Sequence, residues 1–379
     1  IKISPGTPVS SKKRNFSYHD GNSSDKKKKR SLVDVLRPQG ASSFSGLPRL
    51  CRPGKQELIL QDSDVPKHVP CEVIRDVLPR ETADRCMILL KRDALSWESH
   101  PWYIYGKWGR TPRTTKSFRL SASPETTNGT GTVNEVENNC PSSNPELLKI
   151  LDDIAAHLAS VVSDSRPGRQ PPFFPTLALA NRYADHTENA GAHSDFLGEL
   201  GPRPIIVGLS LGACRDFVIS SKPMQPSPKQ NTSSSDSVSV HIPMSHNSVV
   251  IMWGECQERW NHSVPACSEK AIQRHSIVGA ERYSLTFRMS RSGQFKRPRC
   301  RCGHLAELKF RGASYRWICA ANRRKDKGKT LQAPCNFDEV SEWAWKEAVK
   351  LAAGESQISN ASFSTTPCSA VQGPPDHEK

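Results

Sequence analysis

The segment RYSLTFR, residues 282–288, constrains the fold most strongly, because polar and large apolar side chains alternate along it without a break. A strand sends successive side chains to opposite faces, so the pattern predicts a strand with one apolar and one polar face. The polar face carries Arg282, Ser284, Thr286 and Arg288. Two guanidinium groups on one face suit a dicarboxylate, since each can hold a carboxylate through two parallel hydrogen bonds. An exposed sheet edge is the alternative interpretation.

Short apolar segments of the same kind recur from Phe173 onward and predict a mainly β core. They are LALANRY, PIIVGLSLG, DFVIS, SVVIMW and RYSLTFRM. Before these segments, apolar side chains recur at helical spacing in residues 78–90, with Pro79 at a plausible first turn, and again in residues 147–158. Both stretches predict helices. The expected fold class is therefore α+β, mainly β, with helices flanking the β core. Residues 221–238 are rich in Ser, Pro and Lys and predict an insertion between strands.

Net charge is concentrated at two places in this chain of 379 residues, which carries +15 overall. Residues 1–40 contribute +7 and residues 291–330 contribute +11, which leaves −3 for the rest. A polyanion would be attracted mainly to these two segments. Residues 1–60 have few large apolar side chains and predict a disordered basic tail. Its run from Lys26 to Arg30 predicts a nuclear localisation signal, with a solvated charge cluster as the alternative.

Candidate metal ligands for a catalytic site begin with the triplet His193-Ser194-Asp195. On a strand, residues two apart share a face, so the imidazole and the carboxylate can converge on one ion. The triplet is weak by itself, because His186-Thr187-Glu188 repeats the pattern. The distal His262, in ERWNHSVP, completes two histidines and one carboxylate. This is the facial triad of non-haem Fe(II) oxygenases, which leaves positions open for cosubstrate and oxygen; zinc is the alternative metal.

The order of these residues resembles the AlkB family of Fe(II) and 2-oxoglutarate dependent dioxygenases. The matching positions are Asn181, Tyr183, His193, Asp195, His262, Arg282, Thr286 and Arg288. The resemblance implies a double-stranded β-helix, or jelly roll, in a domain spanning residues 65–292. It implies Fe(II) held by His193, Asp195 and His262. The implied contacts of 2-oxoglutarate are Asn181, Tyr183, Arg282, Ser284 and Arg288. Ser284 stands where the family usually has Asn.

Candidate substrate contacts lie in two segments. IYGKW, residues 104–108, resembles the segment of the double-strand-acting AlkB homologue that inserts an aromatic wedge into the duplex. Tyr105 would be that wedge, because chemistry on a base requires extruding it; packing on the protein itself is the alternative. The neighbouring residues expected at substrate or phosphates are Lys107, Trp108, Arg110, Arg113 and Lys116. After Asp195 the chain reads Phe196-Leu197, where relatives place acidic residues; Phe196 could stack on a base.

Four of the twelve cysteines fall within residues 300–335 and provide a set of metal ligands. They are Cys300, Cys302, Cys319 and Cys335, with His304 as a substitute for Cys302. Four thiolates suit a closed tetrahedral structural zinc site. Residues 296–348 resemble the GRF zinc finger, followed by a disordered tail at 349–379. Aromatic residues alternate here with basic ones, which is typical of a surface that binds single-stranded nucleic acid, or else they form the core of a small domain. They are Phe310, Tyr315, Trp317 and Phe337, with a basic cluster at 323–329.

Together these features predict an enzyme that oxidatively demethylates alkylated bases in DNA, with Fe(II), oxygen and 2-oxoglutarate, and that carries a structural zinc ion. The expected partners are methylated single- or double-stranded DNA and RNA. The expected location is the nucleus. No apolar run approaches the roughly 20 residues that span a bilayer, so we expect no membrane contact. A monomer is the expected oligomeric state. The alternatives are an RNA demethylase, a protein hydroxylase of the same superfamily, or a non-catalytic nucleic-acid-binding scaffold.

Overall fold

The computed structural model describes residues 46–104, 107–121, 144–167, 173–222, 237–291, 294–319 and 335–361, with the backbone alone at 101–104, 107–108 and 355–361. Several predictions lie outside the described residues and stay predictions. They concern the basic run at 26–30, the wedge residue Tyr105, most of the insertion at 221–238 and the basic cluster at 323–329. Within the described ranges, no helix has the length and apolar character needed to cross a bilayer.

The described strands are β1 (Arg49–Cys51), β2 (Leu58–Ile59), β3 (Cys71–Ile74), β4 (Pro101–Ile104), β5 (Lys107–Arg110), β6 (Thr114–Arg119), β7 (Leu177–Tyr183), β8 (Ala190–His193), β9 (Ile206–Gly212), β10 (Arg215–Ser221), β11 (Ser239–Met244), β12 (Ser248–Met252), β13 (Trp260–Val264), β14 (Arg282–Arg288), β15 (Glu307–Arg311), β16 (Ser314–Ile318) and β17 (Asp338–Val340). The α-helices are α1 (Arg80–Asp93), α2 (Pro145–Ser165), α3 (Leu197–Leu200), α4 (Cys256–Arg259) and α5 (Glu342–Ala361).

Most strands belong to two six-stranded sheets. Sheet I has the order β2-β1-β11-β10-β13-β8, and sheet II has the order β3-β12-β9-β14-β7-β6. The central strands of both are antiparallel to their neighbours. From β7 to β14 the chain passes back and forth between the two sheets, and β10 and β11 are the one consecutive pair of these strands that lies in the same sheet. The predicted mainly β core is therefore confirmed.

Two hydrophobic cores lie on either side of sheet II, because alternate residues of its strands point in opposite directions. Val249 and Ile251 of β12 enter the core that includes buried residues of α1 and α2. Val250 and Met252 enter the second core, which sheet II shares with residues of sheet I such as Ile219. The layers are therefore helices, sheet II and sheet I in that order.

Both predicted helices are present and supply apolar stripes to the first core. In α1, Cys86 and Leu90 are fully buried, and Pro79 precedes the first turn. In α2, Leu147 and Leu151 are fully buried. The side chain of Asn144 accepts a hydrogen bond from the backbone N–H of Glu146, which caps the helix.

The structure differs from the predicted boundaries at both ends. Residues 46–60 were expected in the tail, yet β1 pairs with β11, and Leu50 and Leu60 are buried between the sheets. At the other end α5 runs to Ala361, and Leu351 is buried, whereas a tail was expected from residue 349. Composition did not reveal either segment, because one or two buried apolar side chains are enough to hold a short strand or a single helical turn against the core.

Residues 294–319 and 335–361 form a separate group of elements, here called the cysteine module. Its sheet has the order β15-β16-β17, and α5 packs on β16. Tyr315, Trp317 and Phe337 are buried in the core of the module together with Cys300. The expectation that these three rings stack on bases is therefore wrong, because a domain this small needs them as its core. Phe310 is half-buried and makes an edge contact with Tyr315.

Candidate active site

Three candidate metal ligands meet at the end of sheet I. His193 is the last residue of β8, and it pairs directly with His262 on β13. The two rings lie 4.3 Å apart between centroids. Oδ1 of Asp195 is 3.9 Å from Nε2 of His193 and 3.8 Å from Nε2 of His262. One metal ion between these three atoms would have two imidazoles and a carboxylate on one side, which fits a facial triad.

The position of Asp195 differs from the predicted one. It was expected on the same strand as His193, but β8 ends at His193, and Asp195 lies in the segment between β8 and α3. A hydrogen bond of 2.8 Å from its backbone N–H to Oε1 of Gln257 positions this segment. Because the carboxylate is not on the strand, residues outside the H-x-D triplet determine where it points.

The surroundings of the triad keep its members in their metal-binding protonation states. Burial would raise the pKa of the Asp195 carboxyl, but the charge and hydrogen bond of Arg288 and the nearby His262 outweigh it and lower that pKa to about 2. Burial also lowers the pKa of His262 to about 3. A ring nitrogen of His193, Nδ1, lies 2.7 Å from the carbonyl oxygen of Gly191, so Nδ1–H donates there and Nε2 faces the centre of the triad.

A buried guanidinium with a spare donor lies on the adjacent sheet. Arg282, at the start of β14, donates from Nε and Nη2 to Oγ of Ser210 at 3.1 and 2.6 Å. Its Nη1 is buried and has no hydrogen-bond partner among the described residues. The guanidinium lies 5.2 Å from the ring centre of Tyr183. A buried, unpaired cationic donor is costly, so this position fits a carboxylate ligand.

One end of the predicted polar face of β14 contacts the triad. Nε of Arg288 donates to Oδ2 of Asp195 at 2.6 Å, so this arginine holds the candidate metal ligand. Ser284 and Thr286 are half-buried, whereas Tyr283, Leu285 and Phe287 are fully buried in the first core. The register places Ser284 between Asn181 on β7 and Ser210 on β9. The alternation predicted from RYSLTFR is therefore present.

Two basic residues expected at phosphates have other partners. Arg113 donates from Nε to Oδ1 of Asn181 at 2.7 Å and from Nη1 to the carbonyl of Asn189. Lys116 is buried, and its Nζ lies 2.7 Å from Oδ2 of Asp93. The prediction for both residues is wrong, because their side chains point into the protein from the strand segment that follows the β4–β5 hairpin.

The substrate residues that the sequence singled out are described unevenly. Arg110 is exposed and donates from Nε to Oγ of Ser99 at 2.8 Å, at the base of the hairpin. Lys107 and Trp108 belong to β5, but only their backbone is described. Phe196 directly follows the metal ligand Asp195, and 59% of its surface is exposed.

Several residues at the site have no signal in the sequence. Gln257 and Glu258 are buried in α4, although CQER would pass for an exposed helical turn. Nζ of Lys222 donates to Oγ of Ser194 at 2.8 Å and to the carbonyl of Gln257 at 2.7 Å. Arg215 is buried beneath the site and donates to three backbone carbonyls. Only three-dimensional proximity identifies these residues.

The four predicted cysteine ligands also converge. Their Sγ atoms all lie within 4.8 Å of one another, which leaves room for an ion at the centre. Sγ of Cys302 lies 3.0 Å from that of Cys300 and 3.5 Å from that of Cys319. Desolvation opposes ionisation of Cys335, but hydrogen bonds from the backbone of Phe337 and from neighbouring groups lower its pKa to about 6. Thiolates at this spacing could hold a tetrahedral metal.

Comparison with known proteins agrees with this site. A model of the 2OG-Fe(II) oxygenase superfamily matches residues 70–288, more than half of the chain. The chain belongs to this superfamily, whose members use Fe(II) and 2-oxoglutarate. Its relatives narrow the assignment to an AlkB-type oxygenase domain.

The named relatives are similar over only part of their length. Human "DNA oxidative demethylase ALKBH2" is 27% identical over 49% of this chain and 59% of its own. Rat "Alpha-ketoglutarate-dependent dioxygenase alkB homolog 3" is 36% identical over 29% of this chain and 34% of its own. The Arabidopsis thaliana ALKBH2 is 30% identical over 38% and 43%. The chain thus spans less than two thirds of each of these relatives.

Proposed function

We propose that this protein oxidatively demethylates alkylated bases in DNA, and that its cysteine module binds zinc and single-stranded nucleic acid. The observation that carries the enzymatic part is the convergence of His193, Asp195 and His262, together with the buried donor of Arg282 on β14, the same strand whose Arg288 holds Asp195. A facial triad leaves positions open for a cosubstrate, and Arg282 would supply the cation that matches the second carboxylate of 2-oxoglutarate.

Each residue has a distinct part in this proposal. His193, Asp195 and His262 hold Fe(II), while Arg288 keeps the carboxylate of Asp195 ionised and oriented. Arg282 and Tyr183 bind the distal carboxylate of 2-oxoglutarate. Asn181, Ser284 and Arg288 line the remainder of its site. The repeated crossing of the chain between sheets I and II from β7 to β14, with β10 and β11 together in sheet I, supports the double-stranded β-helix proposed for this site.

The bound iron would supply the oxidation that turns an N-methyl group into a hydroxymethyl group, while 2-oxoglutarate and oxygen become succinate and carbon dioxide. The hydroxymethyl group leaves as formaldehyde and restores the unmodified base. The protein would orient the base and, together with the bound base, exclude water from the triad. The side chains of Asp195 and His262 are buried, and that of His193 is exposed on the side where the base would enter.

DNA is the proposed substrate for two reasons. Some relatives carry the name DNA oxidative demethylase. In addition, the segment that follows the β4–β5 hairpin contacts Asn189, directly before the strand β8 that carries His193. Arg113, three residues past the end of the hairpin, donates a hydrogen bond to Asn181 of the site. Tyr105, Lys107, Trp108 and Arg110 on the hairpin would contact the duplex, and Phe196 would contact the extruded base. In the cysteine module, the exposed Arg311 at the end of β15 and the overall charge of residues 291–330 support nucleic-acid binding.

A formaldehyde-release assay tests this proposal. Full-length protein is given Fe(II) and 2-oxoglutarate with matched single-stranded DNA, duplex DNA and RNA that carry N-methylated bases. We expect turnover on DNA, and we expect His193→Ala to abolish it. His186→Ala is the matched control, because His186 belongs to the second H-x-acid triplet and lies outside the triad; it should keep its turnover.

Two results would count against the proposal. Undiminished turnover in His193→Ala would refute the assigned metal site. Formaldehyde released from RNA but not from DNA would keep the chemistry and replace the substrate.

A further inference from the structure

The loop that carries the metal ligand Asp195 is built into the cysteine module. Leu197, two residues after Asp195, is 3% exposed. It packs in the core of the module, with Cys300, Ala306 and Leu308. A ligand on a loop is held less firmly than one on a strand, so its position depends on what anchors the loop. Burial of Leu197 anchors this loop two residues after Asp195 and restrains the position of that carboxylate.

A buried arginine ties the end of the same loop to the module. Arg291 is 4% exposed, and its Nε donates to the carbonyl of Leu200 at 2.7 Å. Its backbone N–H donates to the carbonyl of Glu199 at 2.8 Å. Nη1 lies 3.5 Å from Oε1 of Glu347 on α5. The loop is therefore fixed at Leu197 by apolar packing and at residues 199–200 by hydrogen bonds from the backbone and the guanidinium of Arg291.

A second connection runs through α4. The hydroxyl of Tyr315, on β16 of the module, donates to Oε1 of the buried Glu258 at 3.0 Å. The neighbouring residue on that short helix, Gln257, accepts the backbone N–H of Asp195 at 2.8 Å. A shift of α4 would therefore also shift Oε1 of Gln257, which accepts the hydrogen bond that fixes the backbone of Asp195.

From these contacts we propose that the cysteine module is a positioning element of the iron site, and that Tyr315 acts on Asp195 through Glu258 and Gln257. This inference rests on the proposed function of the triad. The module would therefore have a structural role at the iron site in addition to the proposed binding of nucleic acid. Disturbing the module should weaken iron binding even when no nucleic acid is present.

Iron binding by the full-length protein tests the inference. Fe(II) is titrated anaerobically into apo-protein with saturating 2-oxoglutarate, and the visible charge-transfer absorption of the ternary complex is followed. We expect Tyr315→Phe to raise the apparent Kd for Fe(II) by about three- to tenfold. This is less than the roughly 10- to 100-fold effect of removing a residue that hydrogen-bonds a metal ligand directly, because Tyr315 acts through two intervening residues. Gln257→Leu should raise it at least as much, and the double variant should add little more, since both act on one connection.

Ser341→Ala is the matched control. Oγ of Ser341 caps α5 by accepting the N–H of Ala344, so this variant also weakens the module, by about 1 kcal/mol, without touching α4 or the Asp195 loop. Its Kd for Fe(II) should stay within about twofold of wild type at an equal loss of thermal stability. Equal values for Tyr315→Phe, Ser341→Ala and wild type would overturn the inference. Absence of the absorption in wild type would instead overturn the proposed function on which the inference rests.

Discussion

Lys116 gives the sharpest test of which basic residues contact nucleic acid and which hold the fold. Its Nζ lies 2.9 and 2.7 Å from the two carboxylate oxygens of Asp93, and both side chains are more than nine-tenths buried. Oδ2 of Asp93 also accepts the indole N–H of Trp97 at 2.7 Å. The pair joins the end of α1 to β6, where α1 covers sheet II.

Lys116→Met keeps most of the side-chain volume but leaves the carboxylate of Asp93 buried without its cation. Breaking a buried ion pair from one side costs about 3–5 kcal/mol. For a domain of this size, each kcal/mol lowers the melting temperature by about 2–4 °C, so we expect a drop of about 6–20 °C. Urea unfolding gives the free energy, and thermal unfolding followed by circular dichroism gives the midpoint.

Two further variants separate structure from nucleic-acid binding. Lys116→Met/Asp93→Asn should recover much of the lost stability, because the unpaired charge is gone. Arg110→Met, at the exposed last residue of β5, should leave stability within about 0.5 kcal/mol and reduce the salt dependence of DNA binding by roughly one unit of slope. The reasoning fails if Lys116→Met costs under about 1 kcal/mol and instead reduces the salt slope.

Three other outcomes follow from the site. Arg282→Met should raise the Kd for 2-oxoglutarate at least about 30-fold in anaerobic calorimetry, because a buried cation is lost. Ser210→Ala, which removes the hydrogen-bond partner of Arg282, should have a smaller effect. Equal effects of the two variants would count against a direct contact between Arg282 and 2-oxoglutarate. Burial raises the pKa of Glu258 above its ordinary value, so its stabilising contribution is complete below that ordinary value and is lost as pH rises. Urea unfolding should therefore show Glu258→Gln gaining stability relative to wild type as pH rises from about 4.5, and a constant difference would refute the shift. Cys335→Ser should reduce bound zinc in elemental analysis well below the wild-type content, and an unchanged content would remove this residue from the ligand set.

Local patterns allowed the most successful predictions from sequence. The alternation in RYSLTFR depends only on the geometry of one strand, and the structure gives it one face in the first core and one beside Asp195. The stripes of α1 and α2 depend on helical spacing in the same way. The order of the candidate ligands along the chain was sufficient to assign the superfamily that residues 70–288 match.

Long-range partners account for the incorrect predictions. Arg113 and Lys116 resemble the other basic residues near the hairpin, but their partners Asn181 and Asp93 are distant in sequence. Pairing of β1 with β11 likewise brings residues 49–51 into the fold across almost 190 positions. Composition measures the average tendency of a segment, and it does not detect a single partner elsewhere in the chain.

The two residues after Asp195 illustrate how a substitution at a substrate site can have a structural cause. Relatives of this family place acidic residues there, and Phe196-Leu197 put substrate preference in question. The structure separates the two positions, since Phe196 is 59% exposed and Leu197 is 3% exposed in the core of the cysteine module. An acidic residue in place of Leu197 would be buried against Leu308 and the cysteine cluster, at a large desolvation cost. Leu197 is therefore apolar because the module packs on it. Phe196 is exposed, so we expect a substitution there, and not at Leu197, to change substrate preference without disturbing the module.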